Sequence, residues 1–336
     1  MTARARLGRL LARAMSDPRL RAWLYDLRNA AEFSAVWEHE KMLADRVRVQ
    51  AYERGIADHV RSSDVVLDVG TGTGLLAFFA ARQGARRIYA IDHSPFIDVA
   101  RQIAAHNAIA GVTFVQTHSR RFVADEPVDV IVHEQFGDDL YNEHLLDNLL
   151  DLKRRVLRPG GRILPARFEL FVEPVALEAD HRIPRLSEID LPGLDLSFLE
   201  GHEVLRPFDR MPSRFLDRDA FSHLLTAPSP ISSLDLDELD TAPVPARRVE
   251  QHRDVVADGV LSGFVIYFRV VFDADNVFDT APWNPPTSWG NRFLPVGQRL
   301  VQAGDRLDYV IDMPRLADAT SWTVALDAHR PAGLHL

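Results

Sequence analysis

No cysteine occurs in the 336 residues, which removes disulfides, thiolate zinc sites and a cysteine nucleophile together. Lysine is nearly as scarce: Lys41 and Lys153 are the only two, so arginine carries almost all of the positive charge. That charge is outnumbered, 39 basic against 48 acidic residues, for a net −9. A protein that tracks phosphates needs clustered cations to release counterions, so nucleic acid and anionic membrane surfaces are not the expected partners. No apolar run approaches the roughly 20 residues of a membrane span. No secretory core follows the early basic residues either, and a cytoplasmic location is expected. Repeats and low-complexity tracts are also missing.

What the chain does have is enough apolar content, 46%, to bury more than one compact core, and two domains are expected. A segment at 1–40 places Arg4, Arg6, Arg9 and Arg13 among Leu7, Leu10 and Leu11, which reads as a solvated basic helix. Residues 41–165 alternate strand and helix. Val65 to Val69 is a short apolar run before a glycine turn, Leu75 to Arg82 is helical, Arg87 to Ile91 is a second strand ending in Asp92, Val112 to Val115 is a third and Val128 to Val132 a fourth. Apolar strands separated by helices imply a parallel sheet covered on both faces, an α/β fold. From 166 to 336 the segments become rich in β-formers between proline-rich turns, which suggests an antiparallel barrel or sandwich. Residues 176–240 have no clean periodicity and read as an insertion out of that β domain.

Gly70, Gly72 and Gly74 follow the first strand and precede a helix, where they permit a tight turn and close backbone approach by a ligand. Leu75 stands where a dinucleotide fingerprint ends in glycine, and no Lys-Ser/Thr follows as a phosphate loop requires. Asp92, closing the second strand, can accept both hydroxyls of a ribose, and Asp68 lies near the end of the first strand. Together these residues resemble the first two cofactor motifs of class I S-adenosylmethionine methyltransferases. Glu134 follows the fourth strand at its C-terminal end, the ligand edge of an open α/β sheet, and Glu143 lies nine residues on. A loop of that length can fold back to set two carboxylates around one planar cation, which points to a guanidinium. The histidines show no metal-ligand spacing, and no metal is expected.

The chain from His39 onward resembles the protein arginine methyltransferases. The resemblance is carried by His39-Glu40-Lys41-Met42 through Arg48, by Val65 to Gly74 with Asp92, by His133-Glu134-Gln135-Phe136-Gly137 through Tyr141-Asn142-Glu143, and by Thr287-Ser288-Trp289. It implies a Rossmann-like domain at 41–165 that binds S-adenosylmethionine and a β-barrel at 166–336. The irregular 176–240 stretch is implied to be an arm that makes a homodimer. His39, Met42 and Arg48 would help hold the cofactor, with Arg48 on its carboxylate; Glu134 and Glu143 would hold the substrate guanidinium, and Ser288 and Trp289 would line the substrate side. Counted back from Glu134 without gaps, the acid that reads the adenine amino group in this family falls at Ser119. Serine at 288 replaces a histidine found in most asymmetric-dimethylating members, and the paired tyrosines of the N-terminal lid are missing. Free arginine or a small guanidino metabolite is the favoured substrate, because the extra modules of larger protein-modifying members are not present. Protein arginine is the alternative, and a non-catalytic dimeric scaffold a more distant one.

Overall fold

The structure is a computed structural model that describes residues 35–326 apart from residues 183, 185, 201, 209–211 and 240–245. Most of the basic segment expected at 1–40 therefore lies outside the described residues. The chain divides into two compact units, Met1–Glu134 with Leu152–Leu164, and Gln135–Asp151 with Pro165–Leu336.

The first unit holds a five-stranded parallel sheet. Its strands β1 (Val65–Val69), β2 (Arg87–Asp92), β3 (Val112–Gln116), β4 (Val128–His133) and β5 (Leu157–Leu164) lie in the order β3-β2-β1-β4-β5. Every residue of the central β1 is buried, as apolar runs covered on both faces require, whereas edge strand β3 is partly exposed along its length. Among the described residues, two helices precede the sheet, α1 (Val36–Ala44) and α2 (Arg46–His59), and α3 (Leu75–Arg82) and α4 (Ile97–His106) follow β1 and β2. Asp45 caps α2 by accepting from the Arg48 amide at 3.0 Å, satisfying one donor that a helix start leaves open. Helix α5 (Leu145–Arg155) precedes β5. Strand order reverses between β1 and β4, so the carboxyl ends of these two strands flank the position where open α/β sheets bind ligands.

The second unit is antiparallel. Its strands are β6 (Arg167–Leu177), β7 (Arg214–Leu216), β8 (Phe221–Leu224), β9 (Ser232–Asp235), β10 (Arg248–Asp254), β11 (Gly259–Val271), β12 (Val277–Asp279), β13 (Asn291–Val301), β14 (Arg306–Asp312) and β15 (Thr323–Leu326). One sheet runs β7-β13-β11-β6-β8, with β12 on β11 and β9 on β6; the other runs β10-β14-β15. Phe171, Val175, Phe221, Val265, Tyr267 and Phe293 form a buried cluster in it. At Gly263 the ladder shifts register, and a side chain there would lie 2.4 Å from the Leu294 carbonyl, so this bulge requires glycine.

The expected insertion at 176–240 is not of one kind. Strands β7, β8 and β9 fall inside it and pair within the larger sheet. Between β6 and β7 the described residues form short 3₁₀ turns and expose Leu194, Phe198 and Val204 at 62%, 62% and 55%. The second difference is the segment Gln135–Asp151, expected with the sheet it interrupts and found with the β unit. Among the described residues, no helix is long and apolar enough to cross a membrane.

Candidate active site

The glycine turn after β1 has the backbone its sequence demands. Gly70, Gly72 and Gly74 have φ of +72°, +51° and +89°, a region glycine enters without a Cβ penalty. The Gly70 and Thr71 amides both donate to the Ile91 carbonyl at 2.9 Å, and Gly74 donates to Thr71 at 2.7 Å, which ties the turn to β2. A side chain on Gly72 would lie 3.0 Å from His39 Cε1. His39 is itself fixed, buried and stacked on Phe96 with centroids 3.7 Å apart.

Asp68 sits beneath this turn, fully buried. Its Oδ2 accepts from the Thr71 hydroxyl at 2.5 Å and the Ala77 amide at 3.0 Å, pinning the turn to the start of α3. Its Oδ1 is buried and has no hydrogen-bond partner among the described residues. Burial pushes the carboxyl up to about 7, against the lowering hydrogen bonds, with Asp92 and Glu134 adding to the rise. A buried acceptor left unpaired is costly, and this one fits a ligand that brings a donor, as S-adenosylmethionine does. At the end of β2, Asp92 accepts from the Gly72 amide at 2.9 Å and the Ser94 amide at 2.8 Å, one on each oxygen. Both oxygens are thereby oriented, and each retains a lone pair for a ribose hydroxyl.

Sequence reasoning sent Arg48 to a cofactor carboxylate and Glu134 to a cation. In the structure they meet each other: Arg48 Nη1 pairs with Glu134 Oε1, while Nη2 donates to the Met42 carbonyl at 2.6 Å. Arg48 is 4% exposed, and opposite charges withdrawn from water pair when each is the other's nearest counterion. Burial raises the Glu134 pKa, and Arg48 opposes the rise. The Tyr52 hydroxyl donates to the His133 carbonyl at 2.8 Å, fixing the strand end that carries Glu134. Ser119 lies half-buried in a 3₁₀ turn, its carbonyl held by Arg155 at 2.9 Å.

Glu143, Ser288 and Trp289 lie in the second unit, where the segment after Glu134 is anchored at several points. Phe136 is buried and stacks on Trp289 at 5.4 Å, with Phe168 and Phe268 at its edges. Trp289 also stacks on Phe278 and donates from Nε1 to the Phe136 carbonyl at 3.2 Å. The Gly290 amide donates to Asp138 Oδ1 at 2.7 Å, and Arg292 Nε to both oxygens of Asp139 at 2.8 and 2.9 Å. Burial raises the Asp139 pKa while Arg292 lowers it. Gly137 packs so tightly on the Asn142 amide that a Cβ would come within 2.6 Å. Leu140 and His144, with φ of +67° and +55°, bracket the stretch that ends in half-buried Glu143.

Sequence reasoning missed the Phe136–Trp289 and Asp139–Arg292 pairs. Each joins positions 153 residues apart, which no local pattern links, and Asp138 with Asp139 reads as exposed acidic loop. Among the described residues, no group of three or more potential metal ligands is gathered.

A glycine turn after the first strand, an oriented acid closing the second and a ligand edge at the switch point define an S-adenosylmethionine-dependent methyltransferase, and the methyltransferase-domain family matches residues 66–161. Protein arginine N-methyltransferase 6 of Danio rerio is 30% identical over 280 residues, 78% of this chain and 77% of the relative. Protein arginine N-methyltransferase 1 of Dictyostelium discoideum is 30% identical over 285 residues, 82% and 80% of the two chains. Among solved structures, the Trypanosoma brucei PRMT1 enzyme–prozyme heterotetrameric complex with AdoHcy has a TM-score of 0.69 at 25% identity, covering 83% of this chain and 88% of that one. The open conformation of Arabidopsis thaliana protein arginine methyltransferase 10 matches in fold, with a TM-score of 0.67 at 23% identity over 84% and 89%. The chain belongs to the protein arginine N-methyltransferase family, and its activity is S-adenosylmethionine-dependent arginine N-methylation.

Proposed function

We propose that this protein methylates arginine side chains within proteins or peptides. The observation that carries this reading is the likeness to a protein arginine N-methyltransferase over more than three quarters of both chains, which reaches beyond the cofactor domain. Free arginine was the substrate favoured from sequence; the relatives, protein arginine N-methyltransferases matched over more than three quarters of their own length, support a protein substrate instead.

S-adenosylmethionine, when bound, supplies an electrophilic methyl group. The residues that would hold it are the turn Gly70, Gly72 and Gly74, Asp68 through its unpartnered Oδ1, Asp92 for the ribose, and His39, Met42 and Arg48 from the preceding helices, with Ser119 toward the adenine. Glu134 and Glu143 bind and orient the guanidinium. A guanidinium has a pKa above about 12 and spreads its positive charge over three nitrogens, so it is a poor nucleophile. Two carboxylates holding its other N–H groups draw that charge away from the attacking nitrogen. Arg48 engages Glu134 Oε1, so Oε2 is the oxygen that would accept from substrate. The raised Glu134 pKa suits this carboxylate to take up the proton that the methylated nitrogen sheds.

A homodimer accompanies this reading. Leu194, Phe198 and Val204 would be costly to leave in water on an irregular segment with no core of its own, and a second copy of the chain is the proposed cover. Steady-state methylation of an arginine-rich peptide against free arginine tests the substrate assignment: kcat/KM should favour the peptide by tenfold or more, and equal or greater efficiency on free arginine would overturn it.

A further inference from the structure

Arg292 lies on β13, in the ladder between β7 and β11. Its guanidinium sits 4.3 Å over the ring of Phe215, which is its cross-strand partner on β7. From that seat its Nε reaches both oxygens of Asp139, whose side chain is 2% exposed against 11% for Arg292. Immediately after Asp139 the backbone turns: the Tyr141 amide donates to the Asp139 carbonyl at 2.8 Å, and the Leu140 amide to Gly137 at 3.0 Å. Leu140, between these bonds, is fully buried and left-handed, a conformation that a residue with a Cβ keeps only where its surroundings enforce it. Three residues further on stands Glu143, followed by a second left-handed residue, His144.

A buried ion pair is weak evidence for stability, because well-packed apolar residues of equal volume serve as well or better. What it supplies is geometric specificity, since removing either partner strands a charge. We propose that the Asp139–Arg292 pair is the device that holds the Glu143 loop in register on the β unit, so that both are positioning residues for methyl transfer. This inference rests on the assignment of Glu143 to the substrate guanidinium. The same unit contains a comparator, Glu173 with Arg253 at 3.4 Å, equally buried at its carboxylate, which among the described residues accepts from Thr226 and the Ser229 amide and not from the Glu143 loop.

The test uses the full chain with saturating S-adenosylmethionine and an arginine-rich peptide, comparing wild type with Asp139→Asn, Arg292→Gln, Arg292→Lys, the Asp139→Asn/Arg292→Gln double variant and Glu173→Gln. If the pair positions Glu143, kcat falls about tenfold or more in Asp139→Asn and Arg292→Gln, since a small misplacement of a catalytic group costs that much. The double variant is then no worse than the poorer single one, Arg292→Lys recovers part of the loss, and calorimetric affinity for S-adenosylmethionine stays within about twofold. Glu173→Gln keeps wild-type kcat whatever it does to the melting temperature. Folded single variants that keep kcat, or losses that simply multiply in the double variant, would overturn the clamp. Should Asp139→Asn not fold, Arg292→Lys decides alone, by losing kcat or keeping it at unchanged cofactor affinity. A wild type that methylates no arginine substrate would instead overturn the assignment of Glu143.

Discussion

Replacing Gly72 with alanine acts on the cofactor turn through two separable costs. With φ at +51°, an L-residue incurs about 1–2 kcal/mol for the left-handed backbone. Its Cβ would also stand 3.0 Å from His39 Cε1, and that ring cannot retreat freely because it is stacked on Phe96 at 3.7 Å. Disturbing such a ring pair costs about 0.5–1.5 kcal/mol. The sum, about 1.5–3.5 kcal/mol, is either lost from the fold or relieved by tilting the turn, which would withdraw the Gly72 amide from Asp92. If the loss falls wholly on binding, it weakens S-adenosylmethionine by about 10- to 400-fold. Titration calorimetry read beside thermal denaturation separates the two routes, and Gly160→Ala provides the reference. Gly160 shares the positive φ, at +73°, but among the described residues nothing lies within 4 Å of where a Cβ would stand, so it should lose stability and keep cofactor affinity. Gly72→Ala with wild-type affinity and wild-type melting temperature would refute the reasoning.

The Glu173 carboxyl is pushed by burial from 4.5 to about 7. Between those values the unfolded chain binds fewer protons than the native one, so this group's contribution to stability falls as pH rises through that window; melting temperature against pH should slope downward less in Glu173→Gln, and an unchanged slope would contradict the assignment. Leu194→Asp with Phe198→Asp should convert a particle of about twice the 37.9 kDa chain mass into monomers by light scattering. A wild type already monomeric at micromolar concentration would remove the basis of the proposed dimer.

The cofactor half of the site was legible because its chemistry is local. Four apolar residues, an aspartate and three glycines lie within ten positions, and the run Val65–Val69 forms β1 with the expected bounds. Asp92 closes β2 and His133 closes β4, so the placing of Glu134 just beyond a strand end also followed from the run of apolar residues. Strand β5 was not read from the sequence: Pro159, Gly160 and Gly161 interrupt any apolar pattern there, and it pairs with β4 across a register shift between Val128 and Val130. The affiliation of Gln135–Asp151 was not legible at all. It depends on Phe136 finding Trp289 and Asp139 finding Arg292, encounters set by tertiary packing. The Arg48–Glu134 pair was hidden for the same reason, each charge having been assigned to a ligand when the partner 86 residues away was equally suited.

Mass spectrometry of an arginine-rich peptide incubated with S-adenosylmethionine and either wild type or Glu143→Gln tests the central claim most directly. The account predicts that wild type adds one or more methyl groups to arginine side chains, located by fragmentation. It also predicts that Glu143→Gln adds essentially none while binding S-adenosylmethionine with wild-type affinity. Methylation at any other residue type, or undiminished arginine methylation by Glu143→Gln, would contradict it.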